Sequence, residues 1–183
     1  MSDVIVIGDG PAGLSCALFL AKNGKSVEIF AQDKTLMHLA LLINYLGIPR
    51  MTGTEFQKIA RKQVIDQGGT IINTEVTGVA RGSAGFVVTT ADQKIHEAKY
   101  LVLAIGPAPE LVRGLGVSLN ENKTVDADRN GRTEVPNLYA AGWSVRPDKI
   151  QAIISAGDGA AAALDILSAD AGKDIHDFDE AKG

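Results

Sequence analysis

The chain has 183 residues, 45% of them hydrophobic and 22% charged, which is one domain's length with enough apolar side chain to bury a core. Its formal net charge of −4 argues against a basic surface that would attract nucleic acid or anionic lipid. A single cysteine, Cys16, excludes both an intrachain disulfide and a Cys-x-x-Cys redox pair. In chain order, residues 4–7 (Val-Ile-Val-Ile) form a β-branched run suited to a strand buried on both faces of a parallel sheet. A glycine loop follows. Leu14, Ala17, Leu18 and Ala21 then recur at helical spacing, with Pro11 suited to the first turn and Gly24 to the position past the end. Residues 27–30 read as a second strand, so residues 2–30 form a β-loop-α-β unit.

Residues 35–53 are apolar but irregular. Residues 54–67 read as a helix, with Thr52 or Thr54 as its cap and Gly68-Gly69 as its stop. Residues 70–79, 86–90 and 94–98 read as short strands joined by turns at Gly82, Gly85 and Asp92. Residues 100–105 give another apolar strand ending at Gly106-Pro107, and 138–141 a last one ending at Gly142. Residues 150–167 read as an Ala-rich helix containing Gly157 and Gly159. The expected organisation is one contiguous domain over residues 1–168 and a frayed polar tail over 169–183. No apolar run approaches the ~18 residues that span a bilayer. With one thiol and no secretory leader pattern, a cytoplasmic protein without membrane or nucleic-acid partners is expected.

The sharpest local signal is Gly8-x-Gly10-x-x-Gly13 between a buried strand and a helix. Gly8 permits the tight turn, Gly10 lets backbone approach a pyrophosphate, and Gly13 lets the helix pack closely on the sheet. The free N–H groups and the positive helix end then face the phosphates. An acid at the end of the second strand should bond the adenosine ribose, but Ala31 stands first in line. Gln32 and Asp33 are the candidates, and Asp33 reads equally well as a solvated turn residue.

Beyond this loop, five segments stand out in order: DVIVIGDGPAGLSCALFL (3–20), INYLGIPRMTGTEFQKIARKQVIDQGG (43–69), YLVLAIGPAPE (100–110), RTEVPNLYAAGW (132–143) and KIQAIISAGDGAAAALDIL (149–167). In these segments the chain resembles the FAD domain of low-molecular-weight thioredoxin reductases, in the pyridine nucleotide-disulfide oxidoreductase family. The resemblance implies a Rossmann-like three-layer α/β fold with a parallel central sheet and a small antiparallel β-meander. It implies FAD as cofactor. Gly8, Gly10, Pro11, Ala12 and Gly13 would cradle the pyrophosphate, and Asn44 would sit beside the flavin. Val76 or Thr77 would lie near the adenine, and Ala104, Ile105, Gly106 and Gly142 along the dinucleotide. Gln151 and Ala152 would open a helix whose N–H groups stabilise negative charge on the flavin. Relatives of this kind dimerise through their FAD domains, so a homodimer is expected.

Four departures from the family pattern bear on function. Residues 104–139 run straight through where the family inserts a second nucleotide domain, so no integral NADPH site is visible. The family's Cys-x-x-Cys pair is absent, which excludes thioredoxin reduction by dithiol exchange. The family's flavin-binding aspartate is replaced by Trp143, which could stack on the cofactor, shield it, or fill a site that no longer holds flavin well. Ile150 stands where the family has arginine. The expectation is a minimal FAD-dependent oxidoreductase served by external NAD(P)H or a protein redox partner. A non-enzymatic FAD-binding subunit or sensor and an NAD(P)- or adenine nucleotide-binding Rossmann protein are the alternatives.

Other side chains receive plainer readings. Cys16 is expected in the interior, at or opposite the Leu14 and Leu18 face. His38, His96 and His176 are scattered without metal-ligand spacing, although His38 lies in the loop that would approach the flavin and could relay a proton. Arg146 and Lys149 could contact phosphate or be solvated, and Lys58, Arg61 and Lys62 read as a solvated basic strip.

Overall fold

The first strand, β1 (Ser2–Ile7), sits at the centre of the molecule because every residue of its apolar run is buried and successive side chains leave on opposite faces. Val4 and Val6 enter one core, with Leu14, Ala17 and Leu20 of α1 (Pro11–Lys22) and Ala162, Ala163 and Ile166 of α4 (Ala152–Ala171). Ile5 and Ile7 enter a second core, with Phe86 and Val88 of β7 (Phe86–Thr90) and with Val112, Leu115 and Val135. One strand thus joins three layers. The computed structural model that shows this describes residues 1–181.

The parallel part of the sheet runs in the order β5 (Thr70–Asn73), β2 (Val27–Ala31), β1, β8 (Ile95–Leu103), β9 (Leu138–Ala140). The N-terminal half of β8 also pairs antiparallel with β7, which pairs with β6 (Val76–Arg81) to form the meander. Between β2 and β5 come a two-residue pair, β3 (Leu41–Leu42) and β4 (Met51–Thr52), and α2 (Gly53–Asp66). The expected α/β class, parallel sheet and antiparallel meander are all present. The connection from β8 to β9 contains a four-residue helix, α3 (Pro109–Val112), a bridge between Leu119 and Val125, and a bridge from Arg132 to Tyr139 of β9.

Several sequence-based boundaries move. The strand expected over 70–79 is two strands: β5 joins β2 at one edge of the sheet, whereas β6 joins β7 at the other. The two strands expected over 94–98 and 100–105 are one, because Ala98 and Tyr100 both pair with β1 and Lys99 makes no turn. The last helix begins at Ala152, continues to Ala171 and stops at Gly172, which is left-handed with φ +64°. The tail after the helix therefore starts later than expected, and part of it is held against the rest of the chain. Ile175 packs against the core and donates its N–H to Ser168 Oγ at 3.0 Å, and Lys22 reaches Asp177 at 2.9 Å. Positions 182 and 183 of that tail lie outside the described residues.

α4 is long and apolar enough to cross a bilayer by length and composition alone, but Asp158, Asp165 and Asp170 interrupt it, so no unbroken apolar run of spanning length is present. Here it is a packing element. A methyl added to Gly159 would lie 2.0 Å from the Ala12 carbonyl oxygen, so the backbones of α1 and α4 touch.

Candidate functional site

From β1 the chain moves outward through β2 to β5, and from β8 it moves the other way to β9. The carboxyl ends of β1 and β8 are therefore a topological switch point, where open α/β sheets bind ligands. Gly8 leaves β1 at φ +105°, and a methyl there would sit 2.2 Å from the Ala104 carbonyl oxygen. A methyl on Gly13 would sit 1.9 Å from the Gly8 carbonyl oxygen. No side chain fits at either place, so the loop folds tightly and the α1 N-terminus comes to the sheet edge.

A cleft of about 770 Å³ opens there, within the usual range for a cofactor site. Two helix N-termini border it and neither has a side-chain cap: α1 starts after Gly10 with Pro11 in its first turn, and α4 starts after Gln151. By contrast α2 is capped, with Thr52 Oγ1 accepting from Glu55 N–H at 3.2 Å. The first-turn N–H groups of an α-helix have no partner within the helix, so an uncapped start offers donors and partial positive charge to an anion. Among the described residues, the N–H groups of Asp9 and Gly10 also lack hydrogen-bond partners. Directed donors of this kind suit a diphosphate.

The structure brings most of the expected residues to this cleft. Gly8, Gly10, Pro11 and Ala12 line it from the first loop, Gln32 from the end of β2, and Asn44 from the 43–50 loop. Val76 lines it from β6, and Ala104, Ile105 and Gly106 from the end of β8. Trp143 lies over Gly106, where an added methyl would be 3.1 Å from the indole Cε3. Gln151 and Ala152 line it from the start of α4, and Asn44 Nδ2 donates to Gln151 Oε1 at 3.0 Å, joining two distant segments. Ser144 Oγ accepts from the N–H groups of Ile105 and Gly106, both at 3.0 Å, and so fixes that corner.

Four expected residues do not line it. Gly13 and Gly142 act by close packing, Gly142 against Ala12 and Ser155. Asp33 adopts φ +52°, and its carboxylate meets His38 Nε2 at 2.9 Å rather than the cleft. His38 is in turn held by Thr54 Oγ1 at 3.1 Å. Thr77 does not line the cleft either.

Other residues come to the cleft without having been singled out: Asp9, Lys34, Thr35, Thr74, Glu75 and Ser155. Thr74 and Glu75 arrive because the chain leaves the sheet between β5 and β6, which the sequence reads as one strand. Two charged readings change. Arg61 turns inward to pair with Asp9, leaving Lys58 and Lys62 as the solvated members of its strip. Arg146 makes a two-point contact with Asp158, at 2.6 and 2.7 Å, which holds the guanidinium above its ordinary pKa.

Comparison with known proteins bears on this geometry. Residues 41–159 match the pyridine nucleotide-disulphide oxidoreductase family. The chain belongs to that family. Residues 3–41, which carry the glycine loop, match the FAD-binding domain, and the cofactor indicated is FAD. A thioredoxin reductase of Buchnera aphidicola is 31% identical over 174 residues, covering 89% of this chain and 49% of the relative. A ferredoxin–NADP reductase of Levilactobacillus brevis is 30% identical over 159 residues, covering 76% and 46%. The chain thus spans about half the length of the curated relatives it matches. A solved thioredoxin reductase from Gloeobacter violaceus superposes with a TM-score of 0.88 at 18% identity, over 99% of each chain. A ferredoxin-flavin thioredoxin reductase from Clostridium acetobutylicum gives 0.83 at 18% identity, over 93% of this chain and 99% of that one. These two show the shared fold.

The cleft fits the cofactor that the family indicates. Its backbone donors at Asp9 and Gly10 have no partner among the described residues, Gly8 admits no side chain, and its volume is adequate.

Proposed function

We propose that this chain is the FAD-holding unit of a small oxidoreductase that exchanges electrons with an external NAD(P)H or protein redox partner and performs no dithiol chemistry. The observation that carries the reading is the pair of uncapped helix starts meeting at one cleft. Backbone N–H groups of the glycine loop and of α1 would hold the pyrophosphate at Gly8, Gly10, Pro11 and Ala12. Gln32 would take the place of the ribose-binding acid. The uncapped N-terminus of α4, at Gln151 and Ala152, would stabilise negative charge on the ring system. Asn44 would hold that end in place through Gln151. FAD, when bound, supplies the one- and two-electron chemistry, and the chain supplies binding, orientation and electrostatics. Cys16, the only cysteine, is buried and cannot serve as half of an exchanging pair.

The mouth of the cleft favours association. Leu36, Leu41, Trp143 and Ile150 line the cleft and are exposed, and Leu39, Ile43 and Leu46 are exposed on the same 36–46 segment. An apolar rim of this kind supports docking of another surface, and we propose a homodimer, in the cytoplasm. The same rim favours a second reading, in which the chain is a flavin-binding subunit that turns over only with its partner.

Trp143 is the only tryptophan and lines the cleft, so titration with FAD is expected to quench its fluorescence with saturation. The loaded protein, mixed anaerobically with NADH, NADPH or reduced ferredoxin, is expected to lose its visible flavin absorbance with at least one donor. Failure to take up FAD would sink the proposal. Uptake without reduction by any donor would leave the subunit reading in its place.

A further inference from the structure

The second residue of the glycine loop is an acid. Asp9 lines the cleft and carries a negative charge into a place meant for a diphosphate. Its side chain is only 6% exposed. Two residues of α2, one helical turn apart on the same face, hold it: Arg61 pairs with the carboxylate, and Gln57 Nε2 donates to the Asp9 carbonyl at 2.7 Å. Arg61 also donates to Asn73 at the end of β5, at 2.7 Å.

The Gln57 contact is not explained by stability alone. The side chain is buried, and its Oε1 has no partner among the described residues, which costs free energy. Its one bond draws the Asp9 carbonyl toward α2, no residue of which lines the cleft. In a trans peptide the carbonyl and the following N–H point in opposite directions, so this bond turns the Gly10 N–H away from α2. That N–H has no hydrogen-bond partner among the described residues.

We infer that Gln57 and Arg61 are positioning residues for the phosphate loop. Gln57 sets the peptide that presents the Gly10 donor, and Arg61 cancels the Asp9 charge so that the loop accepts a diphosphate. The inference rests on the proposed flavin site and adds to it a mechanism specific to this chain. With Arg61 neutralised, a buried carboxylate would face the incoming phosphates uncompensated. Removing both charges restores neutrality, though not the original hydrogen bonds.

The test is FAD affinity, read from Trp143 fluorescence, in wild type, Arg61→Gln, Arg61→Lys, Asp9→Asn and the Asp9→Asn/Arg61→Gln double variant, with folding checked by circular dichroism. Arg61→Gln is expected to weaken FAD by about 30-fold, the scale seen when one member of a buried charge pair is removed. Asp9→Asn in the same chain is expected to recover affinity to within about 3-fold of wild type, and Arg61→Lys to stay within about 5-fold. A purely structural Arg61 predicts neither the rescue by Asp9→Asn nor the retention of affinity in Arg61→Lys. Should Arg61→Gln not fold, Arg61→Lys and the double variant carry the test, and loss of binding in a folded double variant overturns the inference. So does wild-type affinity in Arg61→Gln. If the wild type itself takes no FAD, the flavin site is what fails.

Discussion

Individual residues at the cleft show what neighbours can do to a side chain. Gln32 and Asp33 are adjacent at the end of β2, and the ribose acid expected there makes Asp33 the natural candidate. The fold decides otherwise, because a positive φ and a bond to His38 turn Asp33 aside while Gln32 stays on the cleft. Gln32→Ala is therefore expected to weaken FAD by about 3–10-fold, the loss of one hydrogen bond, and Asp33→Ala by no more than about 2-fold. Equal effects in a fluorescence titration would reverse that assignment. Cys16 makes the opposite point, being placed correctly from its sequence context alone. It is fully buried beside Leu14 and Leu20, and burial pushes its thiol up to about 12. The thiolate is the reactive form, so a thiol reagent at pH 8 should leave the native protein unlabelled and react once denaturant unfolds it. Rapid labelling of the native state would put Cys16 at an open surface.

Among the secondary elements, those that a single run of residues specifies were legible. The β1–loop–α1 unit was, since its strand, glycines and helix period each carry their own signal. The 43–69 stretch was partly so: the α2 cap is Thr52, one of the two threonines expected. What escaped the sequence was decided by partners far away in the chain. The break between β5 and β6 exists because those strands pair at opposite edges of one sheet, and nothing in Thr74-Glu75 announces it. Likewise Arg61 looks solvated in its own helix and is turned inward by Asp9, 52 positions away. The two glycines of α4 divide along the same line. Gly157 has open space around a would-be methyl, whereas Gly159 lies against the backbone of Ala12. Gly157→Ala should stabilise the fold by about 0.5–1 kcal/mol through helix propensity. Gly159→Ala should destabilise it by about 1–3 kcal/mol through overpacking and should weaken FAD, because α1 begins at the phosphate loop. Urea unfolding of the two variants checks the difference in sign, and equal effects would mean that α1 and α4 do not touch there.

For the molecule as a whole, the question is what keeps three layers in register around a cleft that carries little packing of its own. One carboxylate far from the cleft does much of this. Asp170, near the end of α4, accepts from Lys99 at 2.6 Å and from Tyr100 at 2.7 Å, both on β8, and pairs with Lys25 just before β2. Helix layer and sheet are joined there through a side chain that is only 15% exposed. Burial alone would raise the Asp170 pKa, but the hydrogen bonds from Lys25, Lys99 and Tyr100 outweigh it and hold the carboxyl well below the usual range. A pKa lower in the folded than in the unfolded chain stabilises the fold above the unfolded value, near 4, and that contribution is lost as the pH falls below it. Asp170→Asn is therefore expected to cost about 1–3 kcal/mol at pH 7, the scale of hydrogen bonds to a charged group. The gap between variant and wild type should then narrow steadily from pH 5 downward, as the wild-type carboxylate takes up its proton. Chemical denaturation at a series of pH values measures that gap directly. A gap that stays constant down to pH 2 would mean that Asp170 acts through shape rather than charge, and the acid sensitivity of the fold would have to come from its other depressed carboxyls, Asp3, Asp92 and Glu134.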